Sequence, residues 1–198
     1  GLHVPPDGTA DNIFLEVSPG EAVTYAFRVP ANHPAGLYWL HPHLHGWGAR
    51  QVSLGLAAPV VIRGALDAVA EVAAAREHIL VLQDFELDRS GRPVDAGVRA
   101  LMVGREGPLV TVSGQLRPAY TIERHGLVRL RLLNASASRF YRLSLEDHPL
   151  HLIATDGGSL AIPETLDELL LAPGERRDEL IQASRAGGAY RLRNPPYN

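Results

Sequence analysis

Three histidines, His41, His43 and His45, stand two apart within residues 37–64, LYWLHPHLHGWGARQVSLGLAAPVVIRG. Imidazole is the commonest protein ligand for transition metals. An extended strand sends alternate side chains to one face. This spacing therefore lets one short segment offer several rings to a metal, or to a pair of metals. The residues just before, Leu37, Tyr38, Trp39 and Leu40, are large, apolar and β-favouring, so they predict the strand that positions the rings. Pro42 has no N–H, so the strand must lie at an edge, end or bulge there. Gly46 and Gly48 then break it, and residues 54–62 form a second apolar run with Pro59 at an edge or irregular position.

This stretch resembles the second copper-ligand motif of the multicopper oxidases, the family of laccases, bilirubin oxidases and cuprous oxidases. The family pattern is Gly-x-x-Trp-x-His-x-His, then Gln, then Gly-Leu, then an apolar strand. It is met here by Gly36, Trp39, His41, His43, Gln51, Gly55 and Leu56, followed by Val60, Val61 and Ile62. Ala58 stands where glycine is usual, at a packing turn. The resemblance implies that His41 and His43 are metal ligands, each binding one of the paired type 3 coppers of a trinuclear cluster. It assigns no ligand role to His45, which is expected behind the ligands or facing solvent. No residue is assigned a catalytic role or a second cofactor.

Composition sets the bounds. At 198 residues, the chain is long enough for one large or two small domains with a buried core. The formal net charge of −3 gives no basic surface for nucleic acid or anionic membrane. No apolar run is long enough to span a bilayer. The 19 Gly and 15 Pro, with few helix-period patterns, favour an all-β chain rich in turns. There is no cysteine, so no disulfide forms.

Along the chain, residues 22–29 (AVTYAFRV) alternate and predict a strand after the turn Ser18-Pro19-Gly20-Glu21. His3 and His33 lie in Pro-rich loops and are expected to be solvated. Residues 65–75 (ALDAVAEVAAA) are Ala-rich, with Leu66, Val69 and Val72 three apart, and predict a short helix. It is taken as a linker over 65–76 between residues 1–64 and 77–198. From 77 onward, short strands are predicted at 78–82, 109–112, 128–133, 140–145, 150–154, 169–171, 179–182 and 190–192, as in a β-sandwich. Arg129, Arg131, Arg139 and Arg142 are expected on a solvated strand face. His125 falls in a turn at 123–126. Asn134-Ala135-Ser136 has the form of a glycosylation acceptor.

The second half resembles the same family. Ser113 to Pro118 (SGQLRP), Leu130 to Ser136 (LRLLNAS), then Ala154-Thr155-Asp156-Gly157-Gly158 and Leu171 to Arg176 (LAPGER) follow the order of a second, copper-free cupredoxin-like domain. His148 and His151 echo the third copper motif, but Ile153 replaces its last histidine, so neither is expected to bind metal.

The fold so implied is all-β: two cupredoxin-like Greek-key β-sandwich domains, the first incomplete at its N-terminus, joined by a short helical linker. Gly1 matches the last letter of the first copper motif, which would place that motif's histidines before residue 1. The type 1 copper needs a Cys thiolate, and that site is expected in a third domain after residue 198. The resemblance implies a copper-dependent oxidase that couples one-electron oxidation of phenols, aromatic amines or metal ions to reduction of dioxygen to water. Its partners would be dioxygen, a small reducing substrate, and the missing N-terminal segment and third domain. The chain alone is expected to be inactive, and the family implies a periplasmic or secreted location. A copper-free cupredoxin-fold scaffold protein is the alternative.

Overall fold

The computed structural model describes residues 1–156 and 158–196. It is a β structure with few, short helices. Strands β1 (Gly36–Leu40) and β2 (Ala58–Ile62) form an antiparallel pair, with Leu37 opposite Val61 and Trp39 opposite Pro59. Between them lies a six-residue helix, α1 (Gly48–Ser53), where the sequence predicts only a break. Gly55, at φ +98°, turns the chain from α1 into β2, a conformation that glycine adopts without strain.

Nine further strands follow among the described residues. They are β3 (Arg76–Phe85), β4 (Leu109–Val112), β5 (Leu127–Asn134), β6 (Tyr141–Leu145), β7 (Leu150–Thr155), β8 (Gly158–Leu166), β9 (Leu169–Leu171), β10 (Arg176–Gln182) and β11 (Leu192–Arg193). Six build a sheet in the order β4-β3-β5-β10-β7-β8, and three build a second sheet, β11-β6-β9. After β5 the chain crosses repeatedly between the two sheets, the Greek-key habit of a β-sandwich. Between them lies the core of Leu80, Leu82, Leu130, Leu132, Tyr141, Leu143, Leu150, Leu171 and Ile181. Each such fully buried side chain contributes about 1.5–3 kcal/mol.

Strand alternation also fills the other face of the six-stranded sheet. Val81 and Leu133 point away from the main core and pack with Leu37 of β1, flanked by Trp39, Val61 and Ile79. The β1–β2 pair thus lies against the outer face of the sandwich.

Several expectations need correction. Residues 22–29 form no strand: Val23, Tyr25 and Phe27 are exposed, and no ladder partner runs beside them among the described residues. A bond from the Ala26 N–H to the Thr9 carbonyl, 2.9 Å, is the one backbone bond seen for that stretch. The 65–75 helix is split at Val69, which is extended (φ −64°, ψ 130°), into a 3-10 turn at Ala65–Ala68 and the short helix α2 at Ala70–Ala74. Another short helix, α3 (Val98–Val103), interrupts a loop.

Arg129 and Arg131 do point away from the core, but they are 3% and 1% exposed, not solvated. The 65–77 stretch covers them. Arg129 donates to Asp67 at 2.6 Å and through Nε to Asp178 at 2.8 Å. Arg131 donates to Asp67 at 2.7 Å and to Glu77 at 2.8 Å. Arg63 closes the group on Glu77 at 2.7 Å. Three guanidiniums and three carboxylates balance, as buried charge requires. Burial alone would push the Asp67 carboxyl up, but the Gly64 N–H, Arg129 and Arg63 outweigh it and hold it at about 2. Arg139 is also largely covered, bound to Asp84 at 3.1 Å, while Arg142 pairs half-exposed with Glu168 at 3.0 Å.

His33 is likewise buried rather than solvated. Its Nε2 accepts the His3 N–H at 2.9 Å and its Nδ1 donates to the Pro34 carbonyl at 2.8 Å. Asn134, at the end of β5, is wholly buried, and its side-chain amide donates to the carbonyls of Arg139 and Leu171. Glu179 stands opposite Leu130 and Leu152 in mid-sheet, on the core side. It is fully buried, and neither carboxylate oxygen has a hydrogen-bond partner among the described residues. Burial, then repulsion from Asp178, pushes it up to about 8.

Candidate metal centre

β1 carries the chain to Leu40 and stops, as Pro42 requires. His41 and His43 therefore sit just past the strand rather than on it, in the loop leading to α1. They still come together: their ring centroids are 4.4 Å apart, with the planes at 41°. The His41 ring also stacks on Trp39, centroids 4.0 Å apart and planes at 27°. His41 is half-buried, and His43 and His45 are exposed. The ring contacts among the described residues join His41 to His43 and to Trp39, not to His45.

Both rings border a cavity of about 640 Å³. Its wall is mainly apolar, with Ile13, Tyr25, Phe27 and Trp39, and Asp11 and Asn12 add polar groups. Loss of water pushes the His41 ring below the ordinary histidine range, and the neighbouring His43 adds to this. A bond to the Pro42 backbone and the charge of Asp11 oppose it. At neutral pH this favours the uncharged imidazole, the form that binds metal.

The donor chemistry fits copper, which imidazole suits. The fit is partial, because no group of three or more His, Cys, Asp or Glu side chains gathers anywhere among the described residues. His148 and His151 have partners of their own. His148 is buried, with Nδ1 near the Glu146 carbonyl at 2.8 Å and its ring edge-on to Tyr190, and His151 faces the Thr165 hydroxyl at 3.0 Å. His125 sits in the 123–126 turn and is exposed. Asp11 was not legible as a neighbour of His41 because loop packing, with no periodicity behind it, brings the two together.

The chain belongs to the multicopper oxidase family, whose models match residues 1–66 and 82–198. Its fold is shared with solved members. A multicopper oxidase from Campylobacter jejuni, described as a metallo-oxidase, superposes with TM-score 0.83 at 30% identity, over 100% of this chain and 40% of that one. The McoA multicopper oxidase of Aquifex aeolicus gives TM-score 0.76 at 31% identity, over 88% and 40%. Among curated relatives, cell division protein FtsP of Sodalis glossinidius is 37% identical over 193 residues, 93% of this chain and 39% of its own length. FtsP of Escherichia coli is 35% identical over 79% of this chain and 33% of its own length. The chain thus spans well under half the length of the relatives it matches.

Proposed function

We propose that this chain is part of a copper-dependent oxidase in which His41 and His43 each hold one copper of a type 3 pair. In this reading residues 1–64 and 77–198 are two cupredoxin-like domains joined by 65–76. The observation that carries the reading is the adjacency of two imidazoles at the rim of one cavity. Copper bound there would, with ligands from elsewhere in the protein, supply the electron-accepting chemistry that reduces dioxygen to water. The electrons come from one-electron oxidation of a phenol, an aromatic amine or a metal ion.

The chain's own residues have narrower tasks. His41 and His43 offer ring nitrogens side by side, and loss of water at His41 favours its uncharged form. Trp39 fixes the plane of the His41 ring by stacking on it. The apolar wall limits water beside His41. A type 1 site needs a thiolate, and these 198 residues contain no cysteine, so that ligand comes from outside them. The family's location outside the cytoplasm, periplasmic or secreted, belongs to the same proposal.

A second reading has one observation in its favour: the curated relatives are named cell division proteins. In that reading the fold is a copper-free scaffold. Metal analysis of the natural full-length protein separates the two. The oxidase reading expects bound copper and dioxygen consumption with a phenolic dye, both lost in His41→Ala/His43→Ala. Copper-free protein after reconstitution, or undiminished turnover in the double variant, would overturn it.

A further inference from the structure

We propose that Gly174 and Arg176, where the chain enters β10, are positioning residues that set the His41 ring through Trp39. The inference deepens the copper reading and rests on it only for the metal.

The turn is rigid. The Gly174 N–H donates to the Asn134 carbonyl at 2.8 Å, and the Asn134 N–H donates to the Glu175 carbonyl at 3.0 Å. The Glu175 carboxylate accepts the Ala172 N–H at 2.8 Å. The end of β5 thus holds residues 172–175 in one place. Gly174 sits at φ +78°, a left-handed conformation that brings its backbone close to Trp39: a Cβ built there would lie 3.6 Å from the indole Cζ2. A Cβ there would be in ordinary van der Waals contact with the ring, and the positive φ strains any side chain placed there.

Arg176 then clasps β1 itself. Its Nε donates to the Leu37 carbonyl at 3.0 Å, and its Nη1 donates to the Gly174 carbonyl at 2.9 Å. One planar guanidinium thereby spans the turn and the strand two residues before Trp39, a fork that lysine cannot reproduce. Asp156 steadies Arg176 from behind, accepting its backbone N–H at 2.7 Å. Hydrogen bonds therefore run from Asn134 to the 172–175 turn, and from Arg176 to the Leu37 carbonyl of β1, the strand that carries Trp39 under the His41 ring.

The test uses the natural full-length protein, first metal-free. The His41 ring protons lie over the Trp39 indole and carry its ring-current shift, which NMR reads directly. Arg176→Ala and Gly174→Leu are expected to move these resonances toward solvent-exposed values, and Arg176→Lys to move them part of the way. Titration with Cu(II) against a competing chelator is then expected to show affinity at the pair reduced about 10–100-fold, the range for residues that orient a ligand. Arg176→Lys, which keeps the charge, serves if Gly174→Leu fails to fold. Unmoved His41 resonances in folded variants overturn the proposal. If His41→Ala/His43→Ala leaves Cu(II) binding unchanged, the copper reading falls, and the metal-free spectra still decide the positioning role.

Discussion

Glu179 gives the sharpest test of the structure. Its carboxyl is fully buried in the sheet, opposite Leu130 and Leu152, with no donor to either oxygen among the described residues. A carboxylate there would be an unpaired buried charge, so the folded protein keeps the proton. Its folded value is raised from 4.5 to about 8. Below 4.5 both the folded and unfolded forms are protonated, and the group costs nothing through ionisation. Between 4.5 and about 8 the unfolded chain releases the proton while the folded protein holds it, so stability falls as pH rises. At about 1.4 kcal/mol per pH unit the loss over this window amounts to roughly 5 kcal/mol. Glu179→Leu removes the titration and keeps an apolar side chain of similar reach. Urea unfolding of parent and variant across this range is expected to show little difference at acid pH and a variant more stable by several kcal/mol near pH 8. A difference that stays constant across the window would mean that the carboxyl has found water or a partner, and would refute the reasoning.

Three other outcomes are expected. Arg131→Met leaves Glu77, Asp67 and Asp178 short of a buried partner, and should cost about 3–5 kcal/mol in urea unfolding. Asp67 has its folded value depressed from 3.8 to about 2, so its contribution is present above 3.8 and lost as pH falls toward 2. Asp67→Asn should erase that acid limb from the stability profile, and an unchanged limb would count against it. Residues 1–198 prepared alone expose Phe14 at 85% and Tyr25 at 52%, and are expected to self-associate in sedimentation. A monodisperse, cooperatively melting monomer would contradict this.

What was legible in the sequence was what local pattern controls. The His41–His43 pair and its preceding strand follow from residues 36–43, and the end of β1 before Pro42 from a missing N–H. Strands β3 to β7 announced themselves by alternation and by turn residues between them. What local pattern does not control was hidden. The alternation of 127–134 gave Arg129 and Arg131 an outward face, but not the cover that Asp67 and Glu77 bring from more than fifty residues away. Residues 22–29 carry a strand's period, yet period alone does not provide a ladder partner. β8 went unseen because Pro163 argues against a strand; it pairs only with β7, at a sheet edge, where proline is tolerated. Glu179 was hidden in a charged run, RRDELIQ, whose two faces turn out to meet an ion lattice on one side and the apolar core on the other.

Asn134 carries one more consequence. The triplet Asn134-Ala135-Ser136 invites attachment of a sugar, but both amide hydrogens are already committed inside the protein, and Ser136 lies buried beside them. An oligosaccharide-transferring enzyme would meet no reachable nitrogen once the strand has closed. Any glycan at this position would have to be installed before folding, and it would then block the assembly of β5 with the turn that follows β9.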